Sequence, residues 1–206
     1  MLFYSDKPEK NGPKVETKLR KEFGASQPLS YETEIEGHYR PNSVGQALGD
    51  VGAALFSGRA RPLYTFRFDV NQPRPCEVRV HVIKAGSAVA LGSLLYSTTL
   101  RKPIPAPVIL EDVKTFSKSR FIGEPGLSAR LNANGDLIKR INKFVRTSYQ
   151  VGQEKVTTAR FLQITPFDGG SLLAINTLPR SKWMGLSSTF DAAEFLGIAA
   201  AIEGSM

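Results

Sequence analysis

One cysteine, two histidines and one tryptophan occur in 206 residues, and each scarcity removes a class of chemistry. A lone Cys76 excludes an internal disulfide framework and any multi-cysteine metal centre within one chain. His38 and His81 alone are poor material for a zinc site. No run of about 18 uncharged apolar residues occurs, so no transmembrane helix is expected. The lysine-rich start of the chain lacks the apolar stretch of a secretory leader. Several motifs are missing as well. The glycines between Gly86 and Ser93 carry no lysine where a phosphate-binding loop needs one. No GxGxxG follows a strand, and no GxSxG elbow, HExxH or paired CxxC is found. A catalytic, cofactor-binding or metal-binding site is therefore not expected.

What is present is ordinary globular material with an uneven charge. The chain is 41% hydrophobic and 22% charged, enough to bury a core, and carries a formal charge of +8. The excess lies in residues 61–160, while 31–60 and 161–206 are each slightly acidic. Such a surface concentrates anionic partners without choosing among them.

Residues 1–29 are sparse in apolar side chains and carry Lys7, Lys10, Lys14, Lys18, Arg20 and Lys21 among prolines, glycines and acids. They read as a flexible basic arm, with Leu2, Phe3 and Tyr4 as a greasy tip. Tyr31–Tyr39 alternates, with Glu32, Glu34 and Glu36 on one face about 7 Å apart. Like charges on an edge strand oppose aggregation, and a divalent cation is the competing use. Pro41-Asn42-Ser43 then opens a helical stripe from Val44 to Leu55, with Gly45, Gly49 and Ala53 as a small-residue line suited to close packing. Tyr64–Val70 and Cys76–Val82 alternate across a five-residue connection and form a hairpin. It buries Phe66, Phe68, Val78 and Val80, and turns Arg67, Arg79 and His81 the other way. Cys76 falls on the apolar face. A third strand, Val89–Thr99, holds Gly92 as a bulge signal.

The three prolines in Arg101–Pro107 make an extended connector. Beyond it come a short strand at Val113–Phe116, a turn of helix at Leu127–Leu131, and a helix from Asn134-Gly135-Asp136 to Tyr149. Strands at Val156–Thr165 and Ser171–Leu178 flank the turn signal Asp168-Gly169-Gly170. Pro179–Gly185 reads as loop. Ser188 with Asp191 fits a capping box, opening a last helix that buries Phe195, Ile198, Ala199 and Ile202. Strands follow strands more often than they alternate with helices, so the expected class is α+β with mainly antiparallel sheet and about three helices. Residues 30–206 form one domain in this reading, with 30–100 and 108–206 as candidate halves on either side of the connector.

The helix from Asp136 is the most suggestive element for function. Lys139, Arg140, Lys143 and Arg146 gather opposite its apolar face, and Lys118, Arg120 and Arg130 precede it. These seven are the expected partner-binding residues of a non-enzymatic, cytoplasmic association or assembly protein. Its basic helix and arm would contact an acidic protein surface or neighbouring subunits. Nucleic-acid binding is the alternative, with Phe66-Arg67-Phe68, Arg120-Phe121 and Lys182-Trp183 as cation–aromatic pairs. Against it, alternation buries Phe66 and Phe68, and the RNA-recognition consensus is missing. An enzyme of unrecognised type is the second alternative. A membrane surface is not expected, because the basic helix lacks tryptophan and packs on its own sheet.

Overall fold

The computed structural model describes residues 4–35, 61–85, 88–111, 119–151, 154–158, 160–182 and 187–206. The helix expected at Val44–Leu55 with its small-residue stripe, His38, Glu36, Lys118 and the strand at Val113–Phe116 lie outside them.

The fold is α+β. An eight-stranded antiparallel sheet has the order β1-β2-β3-β4-β10-β9-β5-β6. Its strands are β1 (Ser30–Ile35), β2 (Arg61–Val70), β3 (Cys76–Ala85), β4 (Ala88–Leu100), β5 (Val108–Glu111), β6 (Arg120–Gly123), β9 (Phe161–Phe167) and β10 (Gly170–Thr177). Two small hairpins, β7 (Ser148–Val151) with β8 (Glu154–Thr157) and β11 (Arg180–Lys182) with β12 (Ser187–Thr189), complete the strands among the described residues. Strands from both sides of the Arg101–Pro107 connector share the large sheet.

The β2–β3 hairpin follows its alternation. Phe66 pairs with Val80 and Phe68 with Val78, all four fully buried, while Arg67 pairs with Arg79 on the opposite face. Between β3 and β4 the register slips: Val80 faces Leu94 but Val82 faces Leu91. Gly92 and Ser93 thus oppose the single residue His81, a bulge where glycine suggested one. Asp168 (φ 24°) and Gly169 (φ 74°) form a two-residue turn with both central φ positive, the geometry that matches strand twist.

Four helices among the described residues pack against the Phe66/Phe68 face: α1 (Pro8–Phe23), α2 (Pro125–Ala133), α3 (Gly135–Phe144) and α4 (Ala192–Ser205). α1 lies over β1 and β2 and touches α4. α4 lies over β4, α3 lies beside α4, and α2 covers β6. One hydrophobic cluster runs through the whole layer, from Val15 to Ile202. Tyr96 sits at its centre, stacked on Phe195 at 4.9 Å, with its hydroxyl donating to the Phe190 carbonyl.

The flexible arm expected over residues 1–29 is overturned from Pro8 onward, where α1 forms. Pro8 occupies the first helical turn and Gly24 (φ 67°) ends α1 in the left-handed conformation, the pairing that favours a helix between them. Val15, Leu19 and Phe23 enter the core at i, i+4 and i+8. One turn earlier that stripe continues with Asn11 and Gly12, both buried. Polar and small residues in apolar positions hid the amphipathic pattern, and Pro13 inside the helix argued against it. Asn11 is satisfied locally: its Oδ1 accepts from Ser5 N at 3.0 Å, and its Nδ2 donates to Ser5 O at 2.7 Å and to the Tyr64 hydroxyl.

Other expected boundaries also shift. α3 ends at Phe144 rather than Tyr149, because the Thr177 hydroxyl donates to Phe144 O at 2.7 Å and accepts from Arg146 N at 3.1 Å, turning the chain into β7. The stretch Val156–Thr165 divides into β8 and β9. Part of the expected Pro179–Gly185 loop is strand β11. The Ser188–Asp191 capping box does not form. Ser188 lies in β12, and Asp191 is itself the residue before α4, at φ 52° with no side-chain capping bond.

Candidate functional site

Two basic surfaces matter, and the fold treats them differently. α3 starts where Asn134 caps it, its Oδ1 accepting from Leu137 N at 3.0 Å. Leu137, Ile141 and Phe144 go into the core, which sends the cations outward and toward α4. Arg140 is held by Glu194 of α4 through two bonds, Nε to Oε1 at 2.7 Å and Nη2 to Oε2 at 3.1 Å. Its guanidinium lies across Gly197, where a Cβ would approach its Cζ to 2.9 Å. The paired carboxylate raises the Arg140 pKa further. Arg146 lies beyond the helix end and bonds Asp191 at 3.1 Å, which also receives Arg180 at 3.3 Å.

The remaining expected partner-binding residues are scattered. Lys139 pairs with Asp136 at 3.2 Å, but both are almost fully exposed, so solvent screens the pair. Lys143 is exposed and has no ion-pair partner among the described residues. Arg120 on β6 meets Glu111 of β5 at 3.0 Å. Arg130 on α2 donates through Nε to Ser205 O at 2.6 Å, beside a shallow groove of about 500 Å³ lined by Asn134, Gly135 and Asp136. Arg140 and Arg146 are thus tied to the α4 end of the fold, and Lys139 and Lys143 face solvent.

α1 carries the second surface, which the flexible-arm reading had no means of seeing. At 3.6 residues per turn, Lys7, Lys10, Lys14, Lys18 and Lys21 fall within about 80° of arc, opposite Val15, Leu19 and Phe23. They follow one another along about 21 Å of helix. Lys7, Lys10 and Lys21 are exposed, and their side chains have no ion-pair partner among the described residues. Lys18 lies over the Phe190 ring, its Nζ 5.2 Å from the ring centre. Two acids of α1 turn elsewhere. Glu16 accepts from Leu29 N at 3.0 Å and faces Arg20 at 3.7 Å, and the Glu22 carboxylate accepts from Phe190 N at 2.9 and 3.0 Å. Holding α1 to its neighbours uses Glu16 and Glu22, while Glu9 is exposed in the first turn and the lysines line one face.

The sheet face away from the helices has its own network. Glu77 accepts from Arg67 Nε at 2.6 Å and Arg79 Nε at 2.7 Å, and Arg67 reaches on to Glu32 at 3.6 Å. The Arg67 pKa is raised, chiefly by the charge of Glu77. His81 contacts the Thr65 hydroxyl at 2.8 Å through Nδ1, and burial followed by the Arg79 charge lowers its pKa to about 4. His81 is thus a neutral imidazole held by Thr65 beside Arg79, at the margin of the Arg67–Glu77–Arg79 network. Cys76 is buried on the other face, and burial pushes its thiol up to about 12, far from a reactive thiolate. Among the described residues no group of three histidine, cysteine, aspartate or glutamate side chains could hold a metal ion, and no helix is long and apolar enough to cross a membrane.

No family model, curated protein or solved structure matches the chain.

Proposed function

We propose that the protein is an association module that docks on an acidic protein surface through the lysine face of α1. The observation carrying this reading is the alignment of five lysines on one face of a helix whose Glu16 and Glu22 are engaged elsewhere. Positive charge in a row raises the encounter rate with a row of opposite charge. The rigid mounting supports the same reading: Val15, Leu19 and Phe23 anchor the helix, so the stripe is preorganised and loses little freedom on binding. α3 contributes less, because Arg140 and Arg146 are already paired within the chain.

Lysine chemistry favours a protein partner over base recognition. The exposed arc of α1 has no aromatic ring for stacking, and its one arginine, Arg20, faces Glu16. The test replaces Lys7, Lys10, Lys14 and Lys21 with glutamine, which keeps helix propensity. Binding to a fluorescent polyglutamate and to a 20-base-pair duplex is then measured over a salt series. The expected result is polyglutamate binding that is lost in this variant and kept when Lys139 and Lys143 are replaced instead. Tighter binding of the duplex through the same lysines would put nucleic acid in place of the acidic protein. Equal binding by wild type and the α1 variant would remove α1 from the reading.

A further inference from the structure

The two ends of the large sheet are treated differently. At β6 the edge is closed: the Asn132 side chain of α2 accepts from Phe121 N and donates to Phe121 O, both at 2.8 Å. At the opposite end β1 pairs with β2 on one side only among the described residues. β1 is also exposed at every residue but Glu34, which is half-buried. The Glu32 side chain is 75% exposed, Ile35 is 54% exposed and Tyr31 36%. Tyr31 is fixed from below by Phe68 and Phe66, with ring centres 5.0 and 5.6 Å away.

We infer that the outer edge of β1, unpaired among the described residues, takes an extended segment of a partner whose residues alternate basic and apolar, adding a ninth strand to the sheet. An unpaired edge offers a row of backbone donors and acceptors, and side chains on the added strand supply specificity. Here they would meet two different faces. On the helix side Tyr31, Thr33 and Ile35 present apolar surface. On the other side stand Glu32 and Glu34, and Glu34 has no ion-pair partner among the described residues. A strand with lysine or arginine opposite the glutamates and β-branched residues opposite Tyr31 and Ile35 satisfies both. A second copy of β1 fits poorly. The antiparallel register centred on Thr33 places Glu32 opposite Glu34 twice, and like charges directly opposite are destabilising. This inference does not depend on α1.

The test uses the full chain and a capped hexapeptide of alternating lysine and valine, with a glutamate–valine peptide as control. Affinity is read by calorimetry, and amide hydrogen exchange over residues 30–35 reports the edge. The expected result is slowed exchange at β1 with the basic peptide alone. Glu32→Lys with Glu34→Lys should weaken binding by at least about tenfold, and Ile35→Lys should weaken it as well. These positions are exposed or half-exposed, so the fold is retained. The α1 glutamine variant should bind the peptide like wild type, which separates this edge from the lysine face. No protection at millimolar peptide, or equal protection by the acidic peptide, would overturn the inference. So would protection that grows with protein concentration alone and accompanies a dimer mass, since the occupant would then be a second copy.

Discussion

Asn132 acts as a one-residue strand for Phe121: its amide makes both bonds that a neighbouring strand would make, each at 2.8 Å. β6 is only four residues long, and this cap satisfies backbone groups that α2 would otherwise cover without pairing. Asn132→Ala should therefore cost about 2 kcal/mol, from two hydrogen bonds at about 1 kcal/mol each. It should also open the β6 edge to intermolecular pairing. Chemical denaturation measures the first effect and sedimentation the second. An alanine variant as stable and as monodisperse as wild type would show that the cap is incidental.

The β2–β3 hairpin separates packing from charge at adjacent positions. Phe68 is fully buried, and Phe68→Ala should cost about 3–5 kcal/mol. Arg67→Gln should cost under about 1 kcal/mol, because the side chain is more than a third exposed and Glu77 keeps Arg79. Glu77→Gln should cost more than Arg67→Gln, since it deprives two guanidiniums of one carboxylate, and Arg79 is only 10% exposed. Urea midpoints of the three variants give the ranking. Equal costs for Glu77 and Arg67 would mean that the network is only a surface decoration.

Those hairpin faces were legible because period-two alternation is a local property, and Phe66, Phe68, Val78 and Val80 obey it without exception. The Gly92 bulge and the Asp168-Gly169 turn were legible for the same reason, each being a residue-level demand on φ or pairing. α1 was not, because Asn11 and Gly12 occupy buried positions that a hydrophobicity pattern expects to be apolar. β5 and β6 were missed since four residues carry too little period to read. The basic helix was found, but the fate of Arg140 depends on Glu194, 54 residues further along, and on Gly197 giving it room. No local pattern encodes that contact. The lysine stripe of α1 was in view as a composition and became a surface only once the helix was established.

Docking of α1 makes it part of the stability of the fold. Leu19 is fully buried and Val15 nearly so, so Leu19→Ala should cost about 2–5 kcal/mol. Tyr64→Phe should cost about 1–2 kcal/mol, because it removes the hydroxyl that donates to Ser5 O at 2.8 Å and accepts from the buried Asn11. Proteolytic removal of residues 1–24 should lower the melting temperature of the remainder. An unchanged melting temperature after trimming would return these residues to the status of an arm.

His81 gives a pH dependence with a defined sign. Its folded pKa of about 4 lies below the ordinary 6.5, so the unfolded chain takes up the proton first. Stability attributable to the neutral ring is complete above about pH 6.5, falls as the pH drops toward 4, and falls no further below that. The full shift corresponds to at most about 3 kcal/mol. Carboxylates titrate over the same range, so the measurement is the difference between wild type and His81→Gln in denaturant midpoint at pH 7.5 and 4.5. Wild type should lose more. Parallel losses would mean that the imidazole titrates like a free one.

Gly12 and Tyr31 couple α1 to the edge strand β1. A Cβ on Gly12 would come within 2.7 Å of Tyr31 Cζ, so the ring lies flush against the helix backbone. In an unobstructed helix interior, Gly→Ala stabilises by about 1 kcal/mol. Here the added methyl must push the Tyr31 ring off Phe66 and Phe68, forfeiting aromatic contacts of about 0.5–1.5 kcal/mol each. Gly12→Ala alone is therefore expected to be neutral or destabilising. In a Tyr31→Ala background the obstruction is gone, and the same substitution should stabilise by up to about 1 kcal/mol. The double-mutant cycle should give a coupling of about 1–2 kcal/mol, the range for residues in direct contact. Thermal or urea unfolding of the four proteins provides it. Additive effects would mean that Tyr31 can leave α1 without loss, and the helix would then contribute nothing to holding β1 in place.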